Sequence, residues 1–126
     1  ATDEFEPPQG LFLVGFIGNE PVVSGGFRQH DADSAEIKRM YTVHDYRGGG
    51  YARRLLGELE RRARDAGYAR AVLETGTKQP EAIALYESSG YEPADPFGIY
   101  ADTGTARYFA KKLLEDTIVN VGRSSA

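Results

Sequence analysis

Three consecutive glycines, Gly48-Gly49-Gly50, stand between a stretch patterned as a strand and a stretch patterned as a helix. Glycine removes side chains where the backbone must turn sharply and expose its N–H groups, and a bare turn rarely requires three of them at the entropic cost they carry. A helix that follows at once adds its own unpaired N–H groups and the positive end of its dipole. A loop of this kind suits a phosphate-bearing ligand, so the chain has to fold as a strand, a glycine loop and a helix that together face a nucleotide-like anion.

The flanking patterns supply the elements. Residues 11–17 (Leu-Phe-Leu-Val-Gly-Phe-Ile) read as a strand, Gly18-Asn19-Glu20-Pro21 carry turn residues, and Val22 to Phe27 return as the second arm of a hairpin. The polar run 28–34 turns the chain into a third strand from Ala35 to Val43. Beyond the glycines, Ala52, Leu55, Leu56, Leu59, Ala63 and Ala66 mark one helix face, with Gly67 placed as its C-terminal cap. Residues 70–75 form the next short strand, which implies a crossover and a parallel strand pair. Gln79-Pro80-Glu81 opens a second helix that ends at Gly90, Tyr91-Glu92 begin a return strand, 93–105 is a loop, and 106–113 alternates as a last strand. Residues 1–10 are expected to be an entering loop and 114–126 a tail. The whole is a mixed α/β fold of one domain, with an antiparallel meander plus a parallel pair, flanked by helices, and its core over about residues 11–113.

Composition narrows the function classes. A net charge of −4 offers no basic field for nucleic acid. The chain has no cysteine and two histidines, which argues against a disulfide framework, a thiolate nucleophile and a zinc site, so no metal is expected. No stretch is apolar for long enough to span a bilayer, and the N-terminus lacks the pattern of a signal peptide, so a cytoplasmic protein without membrane or nucleic-acid partners is expected.

Neither G-x-x-x-x-G-K-S/T nor G-x-G-x-x-G with an acidic residue about 20 positions later is present. What stands here is Arg47-x-x-Gly50-x-Ala52, preceded by Met40-Tyr41-Thr42 and followed in the second helix by Gln79-x-x-Ala82-x-x-x-Tyr86-x-x-x-Gly90-Tyr91. Together these resemble the two motifs of the GNAT superfamily of N-acetyltransferases, R/Q-x-x-G-x-G/A and N-x-x-A-x-x-x-Y-x-x-x-G-F, in the family's order over about residues 11–113. Gln79 replaces the usual Asn, Ala52 replaces Gly, and Gly49 adds a further glycine inside the loop. Family members also begin with another strand and one or two helices that wall the acceptor pocket. The expectation is that those elements were lost or removed, or that a partner replaces them, a homodimer being one way to cover the open flank.

The resemblance implies acetyl-CoA as co-substrate and a primary amine of a small molecule or amino-acid-like compound as acceptor. The backbone of Gly48, Gly49, Gly50, Tyr51 and Ala52 would take the pyrophosphate, with Arg47 and Arg53 adding charge and Gln79 at the start of the second helix. Met40, Tyr41 and Thr42 would pair through their backbone with the pantetheine arm. Tyr86 is the residue matched to the general acid, or else a core tyrosine. Glu36 is the candidate base, or else an exposed carboxylate at a strand start, and His30 is its alternative. Arg39, with Lys38, and the loop residues Phe97 and Tyr100 are the candidates for holding the acceptor. A different class remains open beside the enzyme: a CoA-binding regulatory module that kept the cradle and lost the acceptor wall.

Overall fold

The computed structural model describes residues 2–97, 104 and 106–114. Within them the chain runs β1 (Leu11–Ile17), β2 (Glu20–Gln29), β3 (Ser34–Thr42), α1 (Tyr51–Asp65), β4 (Arg70–Gly76), α2 (Pro80–Ser88), β5 (Glu92–Pro93) and β6 (Ala106–Lys112). The order is the one the sequence predicts. Differences are small: β2 begins two residues early, and short 3-10 turns occupy Thr2–Phe5 and His44–Tyr46, where loop and turn are expected. The expected tail from 115 on lies outside the described residues.

The strands form one six-stranded sheet in the order β1-β2-β3-β4-β6-β5. Every pairing is antiparallel except β3 with β4, the pair joined through α1. Strand residues alternate between the two faces. On one face Phe27, Ala35, Ile37, Ala71, Leu73 and Phe109 join Leu55, Leu56, Leu59 and Ala63 of α1 and Tyr86 of α2 in a single core. Leu56 and Leu59 are 1% and 0% exposed, each burial being worth roughly 2 kcal/mol.

Both helices lie on that face and are tied to each other. Arg53 of α1 donates to Ser89 Oγ at 3.0 Å and to Ser88 Oγ at 2.8 Å at the end of α2. Glu60 of α1, itself buried, receives the Tyr91 hydroxyl and the Lys111 ammonium, both at 2.9 Å, and Lys111 also donates to Ser89 O. The opposite face is covered much less. Phe12, Val14 and Tyr41 are exposed there, although Phe5 packs edge-on against Phe12 and sits beneath the Arg39 guanidinium. β1 is the edge strand on that side of the sheet.

Candidate active site

The parallel pair is short. β3 and β4 share a ladder only through Ser34–Arg70, Ala35–Ala71 and Glu36–Val72, yet β3 continues to Thr42 and β4 to Gly76. Each stays bound on its outer side, β3 to β2 up to Thr42–Val23 and β4 to β6 up to Gly76–Ala106. The sheet therefore forks between them, toward the C-terminal ends of both strands. N–H and C=O groups that line a fork can receive an extended ligand as an added strand would be received.

A bulge accompanies the fork. The β2–β3 register slips between Ser24 and Gly26, so that Arg39 and Met40 stand against Gly25, and Arg39 takes φ 62°. An extra residue of this kind bends a strand and increases its twist. Gly25 is what allows the close approach, because a Cβ there would lie 2.4 Å from Met40 Sδ and 3.4 Å from Met40 Cα.

β3 leads from the fork into the glycine loop. Tyr46 fastens the loop by donating to Glu20 at 2.8 Å, and Arg47 Nε donates to Thr42 O at 3.1 Å with its guanidinium over the Tyr41 ring. Gly48 and Gly50 take φ 81° and 85°, which glycine adopts without strain. Gly50 caps α1 with no side-chain hydrogen bond, and no acidic residue occupies the first turn. The exposed loop thus offers the unpaired donors of a helix N-terminus, and a Cβ on Gly48 or Gly50 would meet nothing within 4 Å. That open cradle fits a pyrophosphate.

The remaining expected site residues divide into those held here and those turned elsewhere. Tyr51 is half-buried against Tyr46, and its N–H belongs to the first turn of α1. Ala52 is half-buried in the first turn, and Gly49 lies under the Tyr51 ring. Arg53 sits at the cradle in sequence, but its guanidinium is taken by Ser88 and Ser89. Gln79 is the cap residue of α2, exposed and making no side-chain cap bond, at the same end of the sheet as the mouth of the fork. Met40 packs on the helix side, while the Tyr41 side chain is exposed on the open face.

Tyr86 is 7% exposed, and its ring meets Tyr91 edge-on at 5.8 Å. Burial pushes its phenol above the ordinary value, so it keeps its proton at neutral pH. Tyr91 is pushed up further, by burial first and then by the Glu60 charge.

Glu36 is 5% exposed, which corrects the expectation of a solvated strand-start carboxylate. The physical reason is Arg28 on the neighbouring strand, whose Nε donates to Oε1 at 3.1 Å, while Lys38 Nζ lies 3.9 Å from Oε2. A base working from this position has to compete with those cations. Arg39 is exposed, over Phe5. Phe97 lies between His30 and Tyr108, with ring centroids 4.8 Å and 4.9 Å away. Tyr100 lies outside the described residues.

One residue of this region escaped sequence reasoning. Glu74 is two positions beyond the last β3–β4 pair, and its Oε2 is buried with no hydrogen-bond partner among the described residues. Its signal in the sequence is a single carboxylate directly after the apolar run Ala71-Val72-Leu73 of β4. Among the described residues no group of side chains could hold a metal ion, and no helix is long and apolar enough to cross a membrane.

Comparison with known proteins agrees with this fold. The family model described as acetyltransferase (GNAT) family matches residues 1–91. An IAA acetyltransferase of Azospirillum brasilense is 41% identical over 78 residues, or 62% of this chain, and the chain spans about half (51%) of that protein's length. The uncharacterized N-acetyltransferase YsnE of Bacillus subtilis is 30% identical over 113 residues, covering 88% of this chain and 75% of its own. The fold is shared with a GNAT acetyltransferase of Elizabethkingia anophelis solved with acetyl-CoA bound, at TM-score 0.74 and 18% identity over 88% of this chain and 80% of that one.

Proposed function

The chain belongs to the acetyltransferase (GNAT) family, and from that premise we propose that it transfers the acetyl group of acetyl-CoA to the primary amine of a small-molecule or amino-acid-like acceptor. One observation carries the proposal: the fork between β3 and β4 opens at the end of the sheet where β3 runs into an uncapped helix N-terminus. That pairs a strand-shaped slot with an anion cradle, which is what a long thioester with a pyrophosphate at its far end requires. A cytoplasmic location belongs to the same proposal, as does self-association through the β1 edge, since exposed edges invite pairing.

When bound, acetyl-CoA supplies the activated acetyl thioester. The chain's part is to hold and to move protons. Gly48, Gly49, Gly50 and the first N–H groups of α1 would take the pyrophosphate, with the terminal nitrogens of Arg47 adding charge. The backbone of Met40, Tyr41 and Thr42, which no β4 residue pairs with on the fork side, would hold the arm and polarise the acyl carbonyl, the Thr42 carbonyl being shared with Arg47. Tyr86, which burial keeps protonated, would give its proton to the leaving sulfur. Glu36 or Glu74 would take the proton of the amine. Gln79 would contact the ligand at the mouth, and Arg53 would add charge only after leaving Ser88 and Ser89. Arg39 and Phe97 would line the acceptor side.

The exposed apolar face around Phe12, Val14 and Tyr41 favours a second reading, in which the cradle binds CoA but nothing described walls an acceptor and the chain is a regulatory module. Release of free thiol from acetyl-CoA, followed with a thiol reagent, separates the two, and the background is low because the chain has no cysteine. Thiol release that depends on an added amine is expected. CoA binding without turnover by any of a panel of primary amines would favour the module, and absence of CoA binding would remove both.

A further inference from the structure

Among the described residues, Glu74 is the open-face carboxylate that has a buried oxygen and no cation beside it. β4 alternates, with Ala71 and Leu73 in the core beneath the helices and Val72 and Glu74 on the other side. Cations do stand on this face, but Arg28 serves Glu36 and Glu4, and Lys38 lies nearest Glu36. Glu74 Oε2 is nevertheless buried, and a buried carboxylate oxygen without a donor is a cost that folds rarely leave standing.

Its surroundings say what would satisfy it. The strand to one side has left: β3 pairs with β4 only as far as Val72, so Glu74 borders the fork. On the other side its cross-strand partner is Tyr108, whose ring packs edge-on against Phe97, which in turn packs against His30. A buried anionic oxygen beside a row of rings suits a group that brings both N–H donors and positive charge, since ring faces attract cations and a carboxylate makes its strongest bonds to charged donors. Hydroxyl or carboxylate acceptors lack the charge or carry the wrong sign.

We propose that Glu74 is the counter-ion that receives the acceptor as an ammonium, between the fork and the Tyr108–Phe97 row, and so selects amines. This rests on the acetyltransferase proposal and adds the charge and the point of contact of its acceptor.

The test uses CoA-saturated protein and matched probes of opposite charge: phenethylamine against 3-phenylpropionate, and propylamine against butyrate, titrated by calorimetry and by amide NMR. The amines should bind more tightly than their carboxylate counterparts and should shift the amide signals of Glu74 and Tyr108. Glu74→Gln, which keeps the shape and removes the charge, should weaken amine binding at least tenfold with CoA affinity unchanged, and Glu74→Asp should restore part of it. The melting temperature of Glu74→Gln without ligand should hold or rise, because a carboxylate whose buried oxygen has no donor loses its charge. The proposal is overturned if no amine outbinds its carboxylate counterpart, if Glu74→Gln leaves amine affinity within threefold, or if that variant melts lower, which would show that Glu74 is engaged inside the fold. Failure of CoA itself to bind is a separate result, and it strikes the acetyltransferase reading instead.

Discussion

Gly50→Val tests the cradle with the least ambiguity. Gly50 holds φ 85° and ψ 7° at the cap of α1, and a Cβ there would meet nothing within 4 Å. The first side-chain carbon therefore meets no clash inside the protein, and the main structural cost is the left-handed backbone. That is about 1–2 kcal/mol for an L-residue, at the upper end for a β-branched one. Against a typical total of about 5–15 kcal/mol the chain still folds, with a melting temperature lower by roughly 5 °C.

Binding should suffer far more. The space that admits the valine side chain is the space in which a phosphate would meet the loop N–H groups. Relaxing φ out of the left-handed region would instead rotate the peptide that aims them. Either way, charge-assisted bonds worth about 1.5–3 kcal/mol each are lost, so CoA affinity should fall on the order of a hundredfold or more. Gly57→Ala is the control, since Gly57 is exposed within α1 with open space at its Cβ. It should leave CoA binding unchanged and gain roughly 0.8 kcal/mol from helix propensity. Calorimetric titration with CoA and thermal melts of all three proteins give both quantities. If Gly50→Val melts lower as calculated yet binds CoA within about threefold of the parent, or roughly 0.65 kcal/mol, the loop is not the anion site.

Tyr86→Phe should keep CoA affinity and lower kcat on the order of a hundredfold, the usual scale for a general acid. Because burial raises the Tyr86 phenol above its ordinary value of about 10, the parent should lose kcat only in alkaline solution above that value, and this limb should vanish in the variant. If activity, affinity and limb all survive, Tyr86 is a core residue. Lys111→Met leaves the buried Glu60 carboxylate with Tyr91 alone and should cost roughly 3 kcal/mol by denaturant titration, whereas Arg61→Ala breaks exposed pairs and should cost less than about 1 kcal/mol. Similar losses for both would refute a stabilising role for the Glu60 network.

The elements that sequence places well are those whose cause is local. The hairpin follows from Gly18-Asn19 between apolar runs, and α1 from a clean helical period behind three glycines, so both are found within two residues. What stays hidden depends on partners far along the chain. Glu36 reads as an exposed carboxylate until the register sets Arg28 across from it. Arg53 reads as a phosphate ligand until α2 returns 35 and 36 residues later with two serine hydroxyls. Glu74 is conspicuous only once β3 is known to leave β4 after Val72.

The bulge is the hardest to read, because Arg39 carries no mark of a residue at φ 62°. Its mark is on the other strand, at Gly25, and it has meaning only when the two are paired. A non-glycine residue in that conformation costs about 1–2 kcal/mol, and the Arg39 guanidinium over Phe5 returns about 0.5–1 kcal/mol of it. The bend is therefore held against local preference, by a β2–β3 ladder that resumes on both sides of it. With β3 committed to β2 along its length and β4 to β6 along its own, the three pairs between β3 and β4 are a short seam between two long ladders. A strand bent at Arg39 parts along that seam and leads on from there into the glycine loop, so one backbone distortion sets both the slot and the approach to the cradle.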